Sequence, residues 1–328
     1  MNKELEIWQF AAERLKRDES VMLLVVAESS GSSPGRQGFK MIVARDDLCG
    51  SIGGGVMEVR LAELAKFKIQ NSKFKIDSEI IEQIHRKNSP NSSGMICSGR
   101  QTVIFFELSP AYLKTVLKII EILENDYFEF LQIKPDSFHV VDLFRIKDSD
   151  KDFDFLFENK GENEFVYAEL LGFKNNLYII GGGHCALALS ELMSKMDFHI
   201  SLFDDRADLN TLAKNEFVHH KQTIDSYENI GDLIESGANV YVVVMTLGYK
   251  FDEIVIRRLF DKDFKYFGVL GSKAKMKTLL RNLEKEGFDA EKLKKIHTPI
   301  GLPINSRTPE EIAVSIAAEI IAVKNNAI

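Results

Sequence analysis

Apolar positions along this chain change period from segment to segment, and the changes mark its elements. Leu5, Trp8, Ala12 and Leu15 form one stripe at helical spacing over residues 3–17. Residues 21–28 are a β-rich run with no polar interruption before Glu28, the pattern of a buried strand. Shorter runs at 40–44 and 102–108 predict further strands, and 112–124 predicts a helix. Helices are also expected from the glycine turn at 53–55 to about residue 67, and over 78–86. Residues 128–170 read as short strands broken by the charged stretches 147–154 and 159–164.

From residue 177 the order becomes strand, glycine turn, helix, strand. Residues 239–245 are a continuous β-branched run, as a buried parallel strand should be. A helix to about residue 260, a strand at 266–270 and a helix to about residue 286 follow. Thr308-Pro309-Glu310-Glu311 reads as a capping box with proline at the first helical position. The small-residue helix it opens, 313–323, suits tight packing on its own sheet or against a second copy of the chain. The fold class is therefore α/β, with a C-terminal Rossmann-like doubly wound parallel sheet and a separate N-terminal α/β domain. The expected division is an N-terminal domain at 1–125, a linker region with short strands at 126–172, and the Rossmann-like domain at 173–328.

The glycine turn carries the most specific chemistry. Gly181, Gly183 and Ala186 fall on the spacing G-x-G-x-x-A, and Asp204 follows by about the twenty residues a dinucleotide fold places before its acid. The first glycine turns the chain off the strand, and the second lets backbone approach a phosphate at the helix N-terminus. Asp204 or Asp205 would accept hydrogen bonds from ribose hydroxyls, and His184 would face the ligand. On these residues alone the domain reads as a site for NAD(P) or another nucleotide, and an NAD(P)-dependent oxidoreductase is one reading of the chain. No proton-relay constellation, catalytic triad or Walker A signature accompanies it.

The first half carries two donor-rich loops. The stretch 29–38 holds Ser33, Arg36 and three glycines after a strand end, and serves equally as a surface turn or an anion-binding loop. Gly53, Gly54 and Gly55 precede a helix, where close approach of a phosphate is one explanation for glycines that are costly in backbone entropy. Glu58 falls in that helix's first turn, a position its dipole favours for a carboxylate. Cys97 lies three residues before Arg100, and a nearby arginine favours the reactive, metal-binding thiolate; a buried structural cysteine is the alternative.

Composition narrows the setting. The chain has 328 residues and a net charge of −7, which argues against a general nucleic-acid surface. No apolar run near the N-terminus is long enough to span a membrane. The three cysteines, Cys49, Cys97 and Cys185, form no C-x-x-C pair, so a reducing cytoplasm is the expected compartment.

Together these segments resemble the XdhC/CoxI family, the xanthine dehydrogenase accessory proteins. In the first half the resemblance rests on Gly31-Ser32-Ser33-Pro34, Lys40-Met41, Gly50-Ser51-Ile52-Gly53-Gly54-Gly55 with Glu58, and Met95-Ile96-Cys97-Ser98-Gly99. In the second it rests on Gly181-Gly182-Gly183-His184, Phe203-Asp204-Asp205-Arg206, Gly268-Val269-Leu270-Gly271-Ser272, Pro299-Ile300-Gly301-Leu302, and 307–313. Residues 1–125 then correspond to the XdhC/CoxI-like domain. The resemblance implies an accessory protein, more a maturation chaperone than a catalyst. It would bind the molybdenum cofactor, a molybdopterin, and assist its sulfuration and insertion into an apo molybdenum hydroxylase of the xanthine dehydrogenase type. A cysteine desulfurase is a further partner so implied, and a homodimer the expected assembly. Cys97, Arg100, Ser33, Arg36, Gly53, Gly54, Gly55 and Glu58 would then serve the cofactor with Gly181, Gly183, His184 and Asp204, and Cys97 would contact molybdenum or the transferred sulfur. Two positions depart from the family pattern: Ser98 replaces a glycine after the cysteine, and Thr246-Leu247-Gly248-Tyr249 lacks the histidine that often follows the threonine, leaving Asp252 nearby.

Overall fold

The computed structural model describes residues 3–71, 78–84, 99–125, 129–141, 154–161, 164–196 and 198–328. It divides into two compact units, Met1–Gly172 and Phe173–Ile328.

The first unit is built on β1 (Val21–Ser30), the central strand of an antiparallel sheet of order β3-β2-β1-β5-β4. Its other strands are β2 (Lys40–Val43), β3 (Leu48–Gly50), β4 (Ser78–Ile84) and β5 (Arg100–Leu108). The unbroken apolar run of β1 reflects burial on both faces. Val21, Leu23 and Val25 join a core with α1 (Lys3–Lys16) and α3 (Leu113–Asn125), while Met22, Leu24 and Val26 pack under α2 (Gly55–Gln70). A second antiparallel sheet, β7-β6-β9-β8, is formed by β6 (Phe130–Lys134), β7 (Ser137–Val141), β8 (Phe155–Gly161) and β9 (Glu164–Leu170). It shares the first of these cores through Leu131, Ile133, Phe138 and Tyr167. The helix expected over 78–86 is instead the edge strand β4 as far as residue 84, with residues 85 and 86 outside the described residues. Its apolar spacing suits a helix, but β5 offers an open edge, and pairing along Ser78–Ile84 overrides local preference.

A buried charge cluster ties β2 to β9 and α1. The Lys40 ammonium meets Glu169 at 2.8 Å and Glu4 at 2.7 Å, and the Tyr167 hydroxyl donates to Glu169 Oε2 at 2.7 Å. Burial alone would lower the Lys40 pKa; the two carboxylates outweigh it and raise it.

The second unit is the parallel sheet β12-β11-β10-β13-β14. Its strands are β10 (Asn176–Ile180), β11 (His199–Asp204), β12 (His220–Thr223), β13 (Gly237–Val244) and β14 (Phe264–Val269). On one face lie α4 (His184–Met193) and α10 (Pro309–Lys324), and on the other α7 (Tyr249–Leu259), α8 (Lys273–Lys285) and α9 (Ala290–Lys294). The short helices α5 (Asn210–Lys214) and α6 (Ile230–Leu233) complete it. With β10 first in sequence, the order is that of a Rossmann sheet, whose crevice lies where the winding reverses between β10 and β13. The expected capping box is present at Thr308 and Glu311. Much of the small-residue stripe of α10 is buried within its own unit, Ala313 and Ala317 included. Among the described residues no helix is long and apolar enough to cross a membrane.

Replacing Lys40 leaves Glu169 buried without its counter-charge. We expect Lys40→Met to destabilise the first unit by about 3–5 kcal/mol in urea unfolding, and a second change, Glu169→Leu, to recover most of that loss. Independent, additive losses would contradict this.

Candidate functional site

The chain leaves β10 through Gly181, at φ +105°, where a Cβ would lie 2.3 Å from the Met245 carbonyl oxygen, so only glycine fits. Gly182 N donates to Asp204 Oδ2 at 2.6 Å, and its carbonyl accepts from Thr211 Oγ1 at 2.5 Å. Gly183, the residue before α4, faces open space: a Cβ there would meet nothing within 4 Å. His184 is exposed at the first position of α4, within electrostatic reach of Glu310 on α10.

Asp204 ends β11 fully buried. Besides Gly182 N, it accepts from Arg206 N at 2.9 Å, Arg206 Nε at 2.8 Å and Arg206 Nη2 at 2.7 Å. Burial would raise its pKa, but the Arg206 side chain and the Gly182 and Arg206 N–H groups outweigh that and hold it below the usual aspartate value. The acid expected to receive a ribose is thus engaged inside the protein. Asp205 is the more exposed neighbour, with 24% of its side chain accessible.

Across the winding reversal, Thr246 follows β13 and donates from Oγ1 to Asp252 Oδ1 at 2.6 Å. Asp252 is buried in the first turns of α7, and burial raises its pKa against the hydrogen bonds from Thr246. Gly248, preceding α7, also has nothing within 4 Å of a notional Cβ, and Leu247 beside it is 72% exposed. The helices α4, α7 and α8 all begin at this edge, after Gly183, Gly248 and Ser272, and none has a side-chain cap. Their first-turn N–H groups and dipoles therefore favour an anion at one sheet edge. Lys273, exposed at the start of α8, adds positive charge.

In the first unit the glycine-rich segments meet at the buried amide of Gln101. Its Oε1 accepts from Ser33 Oγ at 2.8 Å and Gly35 N at 3.2 Å, and its Nε2 donates to Ile52 O at 2.8 Å. The approach is tight enough to require glycine: a Cβ on Gly53 would lie 2.4 Å from Gly35 N, and one on Gly99 2.5 Å from Ser33 N. Glu58 Oε2 accepts from Ser51 Oγ, Ile52 N and Gly54 N at 2.6–2.9 Å, and Ser51 Oγ accepts from Gly53 N. Several donors that looked free for a phosphate are thus satisfied from within. Arg36 is exposed, and Arg100 lies between Glu28 and Glu82 at 3.8 and 3.3 Å. Cys97 lies outside the described residues.

Two family models match, the XdhC and CoxI family over residues 14–76 and the XdhC Rossmann domain over residues 177–320. The chain belongs to the XdhC and CoxI family. Among curated proteins it is 30% identical to the uncharacterized protein YqeB of Escherichia coli (strain K12) over 166 residues, 49% of this chain and 30% of that protein. It is also 30% identical to a probable xanthine dehydrogenase subunit of Bacillus subtilis (strain 168) over 149 residues, 45% of this chain and 42% of that protein. The matched regions thus span less than half of either relative's length. A crystal structure described as a xanthine dehydrogenase from Bacillus halodurans superposes with a TM-score of 0.72 and 20% identity, covering 99% of this chain and 96% of that one. At that identity the correspondence is one of fold.

Within this family member, the structure brings Ser33, Gly53 and Glu58 into one set of packed loops with Gln101. Gly181, Gly183, His184 and Asp204 gather at the Rossmann edge. Sequence reasoning missed Gln101 and Arg206 as organisers of these loops. The adjacency of Arg206 to two aspartates was a local signal; Gln101 gave none.

Because its folded pKa is depressed, Asp204 contributes stability above its unfolded pKa of roughly 4, and that contribution fades as pH falls through the lower folded value. Asp204→Asn should cost about 1–3 kcal/mol at neutral pH, with the gap to wild type closing below about pH 4. Denaturant unfolding across pH checks this; a gap constant down to the acid limit would assign the cost to something other than the charge.

Proposed function

We propose that this family member binds the molybdenum cofactor and delivers it, with assistance in its sulfuration, to an apo molybdenum hydroxylase of the xanthine dehydrogenase type. The observation that carries this reading is the Rossmann edge, where three uncapped helix N-termini meet two glycines facing open space while the ribose-binding acid is already engaged by Arg206. Such an edge offers donors to the phosphate of a pterin cargo and holds back its acid from a dinucleotide ribose. The name of the Bacillus subtilis relative supports a client of the xanthine dehydrogenase type.

In this reading residues 1–172, with the second sheet packed on the same core, form the N-terminal domain, and residues 173–328 form the Rossmann-like domain. Gly183 and Gly248 admit the cargo phosphate, and His184 and Lys273 flank it. Cys97, two residues before the packed Gly99, supplies a soft thiolate for molybdenum or for sulfur delivered by a cysteine desulfurase. Arg100, three residues after it in sequence, supplies positive charge, and Arg36 supplies more on the loop that follows β1. The protein acts as a chaperone, with no turnover of its own. An NAD(P)-dependent oxidoreductase fits less well, because ribose binding by Asp204 would have to displace the Arg206 pair.

The full chain purified from cells that make the cofactor should carry molybdenum by elemental analysis and a pterin by fluorescence after oxidation. Protein from cells unable to make it should carry neither. Cys97→Ser should lower the molybdenum retained. Absence of both molybdenum and pterin from the wild-type protein would overturn the reading.

A further inference from the structure

The second unit holds a cavity of about 430 Å³ that is separate from the Rossmann edge. It lies against the start of β14, whereas the glycine loops lie beyond the C-terminal ends of the strands. β14 is an outer strand, and His297 covers its far half: His297 N donates to Phe267 O at 2.8 Å, and Val269 N to His297 O at 2.9 Å. The near half, with the segment before it and the end of α9, lines the cavity.

Its lining is positive in a chain whose net charge is −7. Five lysines face it, Lys262, Lys265, Lys292, Lys294 and Lys295, against one lining carboxylate, Asp263. Two of the lysines have acidic partners: Lys294 pairs with Glu291 at 2.7 Å, and Lys292 lies 3.8 Å from the exposed Asp261. Two others have neutral partners. Lys262 donates to the Ile234 carbonyl at 2.7 Å and Lys265 to Asn326 Oδ1 at 2.8 Å. The Lys295 ammonium has no hydrogen-bond or ion-pair partner among the described residues. Three ammonium groups therefore carry charge that no carboxylate among the described residues pairs.

Apolar ring surface stands beside that charge. Phe264 and Phe267, in edge-to-face contact at 5.6 Å, are only half-buried, and both line the cavity. A further wall is fixed from behind by Glu319 of α10, which accepts from the Tyr266 hydroxyl and from Gly301 N and pairs with His297 Nδ1 at 3.4 Å. Burial would raise the Glu319 pKa, but these hydrogen bonds outweigh it and keep the carboxyl below its usual range. The wall is thus rigid, and the cavity's volume is in the range of small-molecule sites.

We propose that this cavity binds a small anion with a flat ring, of the class of a phosphorylated nucleoside, its phosphates on Lys262, Lys265 and Lys295 and its ring against Phe264 and Phe267. The proposal does not depend on the cofactor-delivery reading. The test uses the full chain with ADP as probe. Calorimetry at low salt should show saturable binding, weakened roughly tenfold or more by Lys265→Glu combined with Lys295→Glu. A circular dichroism melt checks that the variant folds. Photolabelling with 8-azido-ADP, mapped by mass spectrometry, should mark peptides within 260–267 or 292–297. No ADP binding, equal binding by the double variant, or labelling confined to 181–186 and 246–249 would each overturn it.

Discussion

The carboxylate of Asp204 fixes the shape of the Rossmann edge. It ends a central strand, has no solvent contact, and accepts four hydrogen bonds from Gly182 and Arg206. The glycine turn is thereby held in place before any ligand arrives, and its orientation depends on a charge that only ionised aspartate supplies. The same bonds change what the edge can bind. An acid free to grip a ribose would make the fold a dinucleotide site, whereas an acid occupied by arginine leaves the helix N-termini as the exposed chemistry.

The first unit follows the same logic with neutral and acidic groups. Gln101 joins the loops that follow β1 and β3, and Glu58 closes the turn ahead of α2. Glycine-rich loops exposed to water are entropically costly to order. Here the side-chain acceptors of Gln101 and Glu58 satisfy part of their backbone, so the loops are pre-shaped. Pre-shaped loops suit a protein that must hold a cargo and release it, since little ordering is lost or gained at each exchange.

The sequence made the architecture legible where period and glycine placement agree. The two-faced burial of β1 follows from its unbroken apolar run, and the turn at Gly181 followed from a spacing that only glycine can satisfy. Residues 78–84 misled because Ile80, Ile81 and Ile84 suit a helix as well as a strand; the open edge of β5 decided between them. The candidate site was legible as a set of loops but not as a set of bonds. Gln101 reaches partners 68 and 49 residues away, and no local pattern encodes such a pairing. The occupation of Asp204 was closer to hand, since its partner is two residues on, yet the spacing that suggested a ribose acid says nothing of what else that acid touches.

Delivery of cargo to a client enzyme, as proposed, is measured most directly by activation of that client. An apo hydroxylase of the xanthine dehydrogenase type, purified from cells unable to make the cofactor, is mixed with this chain purified from cells that can. Hydroxylase activity should appear in proportion to the molybdenum supplied with the chain, and chain from cofactor-deficient cells should give none. Full activation by free cofactor at the same molybdenum concentration, with no gain from the loaded chain, would contradict the account.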